Sequence, residues 1–128
     1  MILIDTSIWI ELFSKKNPYK LSEDQLAKIV LCPPVIQEIL QGIREDTVYT
    51  AIKNTLLAFP RIGDPIRLND YLLAADIYKT GREKGYTIRS STDCLIAALA
   101  IQSKISVWHK DRDFDFIAKF TALKITVL

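Results

Sequence analysis

The chain has 128 residues, 49% hydrophobic and 25% charged, a composition expected of one globular domain over 1–128 with a sizeable core. A formal net charge of +2 is too small to mark a broad nucleic-acid-binding face, so any such surface must be a local patch. One histidine and two distant cysteines, Cys32 and Cys94, exclude a zinc finger or a His-rich metal site, and both thiols are expected to be buried and reduced.

Met1–Ile4 is a short continuous apolar run, the pattern of a strand buried on both faces. Thr6-Ser7 is expected to cap a helix carrying Ile8, Trp9, Leu12 and Phe13, which Lys15-Lys-Asn-Pro18 breaks. Ser22-Glu-Asp-Gln25 has capping-box spacing ahead of Leu26, Ile29 and Val30. Leu31-Cys32 reads as a brief second strand, and Pro33-Pro34 opens a helix running to Gly42. From about Asp46 a further helix places Val48, Ile52, Leu56 and Phe59 on one side. Pro60–Pro65 is rich in turn residues, with Ile62 suited to a short strand. Asn69 is positioned to cap a longer helix that Gly81 and Gly85 end. Ser91 is positioned to cap the next helix, which is apolar on most sides and therefore central. Ile105–Trp108 reads as a strand, Phe114–Ile117 as a helical turn and Ile125–Leu128 as a last strand. Strands separated by helices predict an α/β/α sandwich around a mostly parallel sheet. No apolar run approaches the ~20 residues of a membrane span, and the start lacks the basic segment and length of a secretion signal, so a cytoplasmic protein is expected.

Acidic residues sit where the apolar segments stop. Asp5 ends the first strand, Glu38 interrupts Val35-Ile36…Ile39-Leu40, Asp93 opens the run Cys94–Ile101, and Asp111 and Asp113 follow Trp108. Ligands of open parallel sheets collect beyond the carboxyl ends of the strands, where Asp5, Asp111 and Asp113 must project. Asp93 belongs to the first turn of a helix, whose dipole tolerates an anion. At about 100° per residue, Glu38 lies roughly 60° outside the apolar arc of its helix and can reach a cleft from its flank. Each acid alone also fits a bland role as a cap, turn former or solvated side chain. Together they fit one rim. Two carboxylates ~4 Å apart repel by about 4 kcal/mol at an effective dielectric near 20. Convergence therefore predicts a hard divalent cation, Mg²⁺ or Mn²⁺. Such a site suits phosphodiester hydrolysis by water that the metal activates, with no nucleophilic side chain. Thr6, Ser7 and Thr92 border the acids and can orient water or a ligand.

Four segments resemble the motifs of PIN domains, specifically the VapC-type toxin nucleases of bacterial and archaeal toxin–antitoxin pairs. They are Ile4-Asp5-Thr6-Ser7-Ile8-Trp9, Pro34-Val-Ile-Gln-Glu38-Ile-Leu-Gln-Gly42, Ile88-Arg-Ser-Ser-Thr-Asp93-Cys-Leu-Ile-Ala-Ala98 and His109-Lys-Asp111-Arg-Asp113-Phe114. They run through the chain in the family's order. The resemblance implies a compact α/β fold, Mg²⁺- or Mn²⁺-dependent endoribonuclease activity on structured RNA such as tRNA or rRNA, and a cognate antitoxin protein. It also implies a homodimer within a higher toxin–antitoxin assembly. It assigns Asp5, Glu38 and Asp93 to the metal centre. Asp111 comes first after the strand and Asp113 fits the Asp-Phe pairing, so both are kept as the fourth acid, and Asp115 is set aside. A hydroxyl residue is common in the family near the position of His109.

RNA affinity is largely electrostatic, and Lys15, Lys16, Arg82 and Lys84 are candidate phosphate contacts. Arg89, Lys110 and Arg112 are favoured because they neighbour the acids. Trp9 and Trp108, flanked by apolar residues, are expected in the core or an interface rather than stacked on bases. Apolar stripes between Ser22 and Phe59 suit core packing and, by the resemblance, a groove for an amphipathic antitoxin segment. Two other readings compete: a PIN nuclease of RNA processing independent of any antitoxin, and a non-catalytic module whose acids receive a partner's basic side chain. A phosphorylatable receiver domain fits less well, since no phosphoacceptor with its lysine is placed for it.

Overall fold

A computed structural model of the chain describes residues 1–128. Its elements are β1 (Ile2–Ile4), α1 (Thr6–Leu12), α2 (Glu23–Leu26), β2 (Ile29–Val30), α3 (Pro33–Gln41), α4 (Asp46–Leu57), α5 (Leu68–Glu83), α6 (Ser91–Ser103), β3 (Ser106–Trp108) and α7 (Arg112–Phe120). The three strands form a parallel sheet in the order β2-β1-β3, flanked by the seven helices. The expected α/β architecture around a parallel sheet is the one that forms.

β1 is central and its Leu3 and Ile4 are fully buried, which is why its sequence is apolar without alternation. Isolated bridges extend both edges of the sheet, Leu31 to Arg61 beside β2 and Val107 to Ile125 beside β3. The short strands expected at Ile62 and Ile125–Leu128 are thus reduced to single bridging contacts. Twenty-six buried residues make one contiguous core cluster. α6 runs through it, with Cys94 and Ile96 to Ala100 all buried, and packs against α3, α5, α7 and β3. Its all-round apolarity reflects that central position.

Several boundaries differ from the sequence reading. The second strand is Ile29–Val30 rather than Leu31-Cys32, because the capping box at Ser22 and Gln25 supports only the one short turn of α2. The chain is then extended in time to pair Ile2 with Ile29. α1 is capped by Asp5, whose carboxylate accepts from the Ser7 amide, so Thr6 and Ser7 sit inside the first turn. α5 is not capped by Asn69. It starts at Leu68, and the Asp70 carboxylate reaches back to accept from the Arg67 amide at 2.9 Å. Gly81 is an interior residue of that helix, present because a Cβ there would lie 2.6 Å from Ile88 Cδ1. The chain leaves the helix at Gly85, with φ at +82°. α6 is capped by Ser90 instead of Ser91, and α7 extends on both sides of the expected turn.

Candidate active site

Parallel pairing brings the carboxyl ends of β1 and β3 to the same edge, and the Asp5 amide continues the ladder by donating to the Trp108 carbonyl at 3.0 Å. Asp5 is buried there. Its Oδ2 accepts from the Ser7 amide at 3.3 Å and the Ser7 hydroxyl at 2.8 Å. The Ser7 Oγ in turn accepts from the Lys110 amide at 3.2 Å, tying the β1–α1 turn to the β3–α7 loop. Burial pushes the Asp5 carboxyl above its ordinary value against these hydrogen bonds. Glu38, on the flank of α3, is half-buried and accepts from the Thr6 hydroxyl at 3.0 Å. Its carboxyl is also pushed up, first by burial and then by the charge of Asp5.

Asp93 lies in the first turn of α6, where its amide donates to the Ser90 hydroxyl at 3.2 Å. Its carboxyl is pushed up to about 8, chiefly by burial and then by Asp5, Asp111, Glu38 and Asp113 in that order. The charges of the other four acids thus all act on Asp93, while the direct cluster holds three of the five. Within it, carboxylate oxygens of Asp93, Asp111 and Asp113 lie within 4.8 Å of one another. Asp111 caps α7 and accepts from the Asp113 amide at 3.0 Å. Asp113 is buried, and its Oδ2 accepts from the Arg89 amide at 3.0 Å. Its Oδ1 is buried with no hydrogen-bond partner. Asp115 points elsewhere, to His109 Nε2 at 3.2 Å.

An orphaned buried carboxylate oxygen of Asp113 within reach of the Asp93 and Asp111 carboxylates is an incomplete electrostatic arrangement. A hard cation completes it, since the clustered donors of Asp93, Asp111 and Asp113 are all carboxylate oxygens. The residues present therefore fit a divalent metal of the Mg²⁺ type.

The cations sort differently from their order in the sequence. The Arg89 guanidinium lies 3.8 Å from Asp111 and stays largely exposed on the rim. Arg112 is exposed and engages no carboxylate. Lys110 is different, because its ammonium pairs with Glu11 and only its backbone amide serves the pocket. Thr92 lines a groove between α5 and α6 together with Tyr78 and Arg82. Trp9 and Trp108 are buried, packed on Phe13 and Phe59 and on Tyr19 respectively, so neither ring is open to a base. Sequence reasoning missed Ser90 and Glu11. The spacing Ser90-x-x-Asp93 was a readable cap signal; the reach of Glu11 to Lys110 had none.

The PIN domain family profile matches residues 2–120. Ribonuclease VapC11 of Mycobacterium tuberculosis is 39% identical over an alignment covering 97% of this chain and 96% of that protein. Among solved structures, VapBC-1 from nontypeable Haemophilus influenzae superposes with a TM-score of 0.77 at 18% identity, covering 98% of this chain and 97% of that one. FitAcB from Neisseria gonorrhoeae gives a TM-score of 0.70 at 17% identity, covering 98% of this chain and 96% of that one.

Proposed function

Since the chain belongs to the PIN domain family, among the VapC ribonucleases, we propose that it is the toxin of a toxin–antitoxin pair, a metal-dependent endoribonuclease of the cytoplasm. Its reaction is hydrolysis of phosphodiester bonds in structured RNA such as tRNA or rRNA. The observation that carries this reading is the cluster of Asp93, Asp111 and Asp113, with carboxylate oxygens within 4.8 Å of one another, and the charges of Asp5 and Glu38 acting on Asp93 as well.

Asp5, Glu38, Asp93 and Asp111 are assigned to the metal, Mg²⁺ or Mn²⁺, with Asp113 beside them. When bound, the cation supplies Lewis-acid stabilisation of phosphate charge and an acidified water. The chain's own side chains do the rest. Ser7 aims the Asp5 carboxylate, Thr6 aims Glu38, and the Arg89 amide fixes Asp113. Asp93, whose carboxyl burial raises to about 8, would hold a cation in its ionised form, so metal affinity would rise with pH. Arg89 and Arg112 stand at the rim, where guanidinium groups meet phosphate oxygens. Lys110 contributes its backbone.

The cognate antitoxin is assigned to the apolar groove of about 490 Å³ lined by Trp9, Leu12, Phe13, Leu26 and Phe59 among others, which suits an amphipathic segment. A homodimer, and a larger assembly with the antitoxin, belong to the same reading.

Purified protein incubated with a panel of tRNAs and rRNA fragments, with EDTA, Mg²⁺ or Mn²⁺, tests it. Metal-dependent cleavage that Asp5→Asn and Asp93→Asn each abolish is expected. Undiminished cleavage by either variant rejects the site.

A further inference from the structure

The loop Gly85–Ser90, between α5 and α6, is fastened to α7 at two points. At the acidic pocket the Arg89 amide bonds Asp113 at 3.0 Å. Away from the pocket the Tyr86 ring lies nearly parallel to those of Phe116 and Phe120, at centroid distances of 5.2 and 5.8 Å. Beyond Tyr86 a notch of about 150 Å³ opens towards Tyr78, lined also by Arg82, Thr87 and Ile88. Anchoring the loop accounts for the stack on Phe116 and Phe120. It leaves unexplained the second tyrosine, which is 40% exposed across the notch.

The charge around these rings is the second observation. The Arg82 guanidinium sits 5.8 Å from the centre of the Tyr78 ring, and the Lys119 ammonium 5.8 Å from Tyr86 and 5.7 Å from Phe116. Neither cation has a carboxylate partner. The acids nearby are engaged, Glu83 by Lys79 at 2.6 Å and Asp115 by His109 at 3.2 Å. The chain's net charge is only +2, yet these two cations stand beside the rings without a carboxylate to neutralise them. The amides of Thr87 and Ile88 donate to no group of the chain. Aromatic rings bracketed by unpaired cations are what single-stranded nucleotides bind, bases stacking and phosphates meeting charge.

We propose that the notch between Tyr78 and Tyr86 is a nucleobase subsite, which takes an unpaired nucleotide of the RNA substrate close to the bond that is cut. This rests on the ribonuclease reading above. Tyr86 and Arg89 are three residues apart, so the notch lies within ~10 Å of backbone from the pocket rim. That is about three nucleotides at the 3.4 Å rise of a stacked strand. The tyrosines flank the base, and Arg82 and Lys119 take neighbouring phosphates. The substrate this selects is a loop or single-stranded junction in a folded RNA rather than a continuous duplex.

The test is fluorescence anisotropy with a short fluorescein-labelled single-stranded RNA of mixed sequence, in EDTA so that nothing is cut. Tyr78→Ala and Tyr86→Ala are expected to bind roughly 5- to 100-fold more weakly, the loss of one stacked base. Tyr86→Phe retains affinity, and Arg82→Ala lowers the salt slope by about 0.7. Circular dichroism checks each fold; should Tyr86→Ala fail to fold, the part-exposed Tyr78→Ala decides. Unchanged affinity in Tyr78→Ala and Arg82→Ala overturns the subsite. So does Tyr78→Ala turning a dimer into a monomer at unchanged affinity per chain, since that gives the face to a second copy. Tyrosine-dependent binding by a protein that cuts no RNA upholds the subsite and removes the nuclease reading. Intact cleavage with tyrosine-independent binding does the reverse.

Discussion

Replacing Asp93 with Asn removes the charge whose burial dominates the acidic pocket. Its carboxyl is pushed up to about 8 in the folded protein, from an ordinary value of 3.8. Between those two values the folded state holds a proton that the unfolded chain has released. Stability therefore falls as pH rises, by about 1.4 kcal/mol per pH unit. The pocket is least costly on the acid side of 3.8 and most costly above about 8. From about pH 5 to about pH 8 the loss has an upper bound of about 4 kcal/mol, lowered by solvent screening of a carboxyl at the pocket mouth. Asp5 and Glu38, raised mainly by burial, act in the same direction. Asn at position 93 stands in for the protonated acid and withdraws its share of the slope. Urea unfolding followed by circular dichroism, in EDTA across this range, measures it. The wild type is expected to weaken steeply, and Asp93→Asn to stay flatter and be the more stable of the two near pH 8. Adding Mg²⁺ or Mn²⁺ near pH 8 is expected to restore the wild type and leave the variant unchanged. Parallel pH profiles for the two proteins would refute the electrostatic account.

Ser7→Ala removes both the 2.8 Å hydrogen bond to Asp5 and the acceptor for the Lys110 amide. It is expected to cost about 1–3 kcal/mol in urea unfolding and to weaken metal affinity measured by calorimetry. In Gly81→Ala the new Cβ lies 2.6 Å from Ile88 Cδ1 and 3.2 Å from Phe120 Cζ. The overlap outweighs the ~1 kcal/mol gained in helix propensity, so a net loss of about 1–2 kcal/mol is expected in the same assay. Burial pushes the Cys32 and Cys94 thiols up to about 12 and about 11. A thiol reagent near pH 8 is expected to label neither until urea unfolds the chain, and rapid labelling of the native protein would contradict that placement.

The acids were legible because a parallel sheet leaves little choice about where the ends of its strands lie. Asp5 and Asp111 each follow a strand, and Asp93 opens the most apolar helix, so their places at strand ends and a helix start pointed to one rim. Glu38 was placed by angle on the flank of α3, and its bond to Thr6 lies on that flank. What could not be read was set by contacts distant in sequence. No local signal marks Lys110 as occupied by Glu11, or Tyr86 as lying on Phe116. The start of α5 was misplaced because Asn69 and Asp70 are both good capping residues, and only the folded backbone shows that Asp70 reaches back to Arg67. β2 was shifted because its apolar residues also suit a longer α2, until pairing with β1 decides between them.

The Ser7 hydroxyl joins residues separated by 103 positions, and Asp5 itself is stitched to Trp108. A ribosome adding 5–20 residues each second exposes the first of these partners roughly 5–20 s before the second can meet it. During that interval the nascent polypeptide carries half a pocket. The acidic pocket is thereby completed only when synthesis is nearly over.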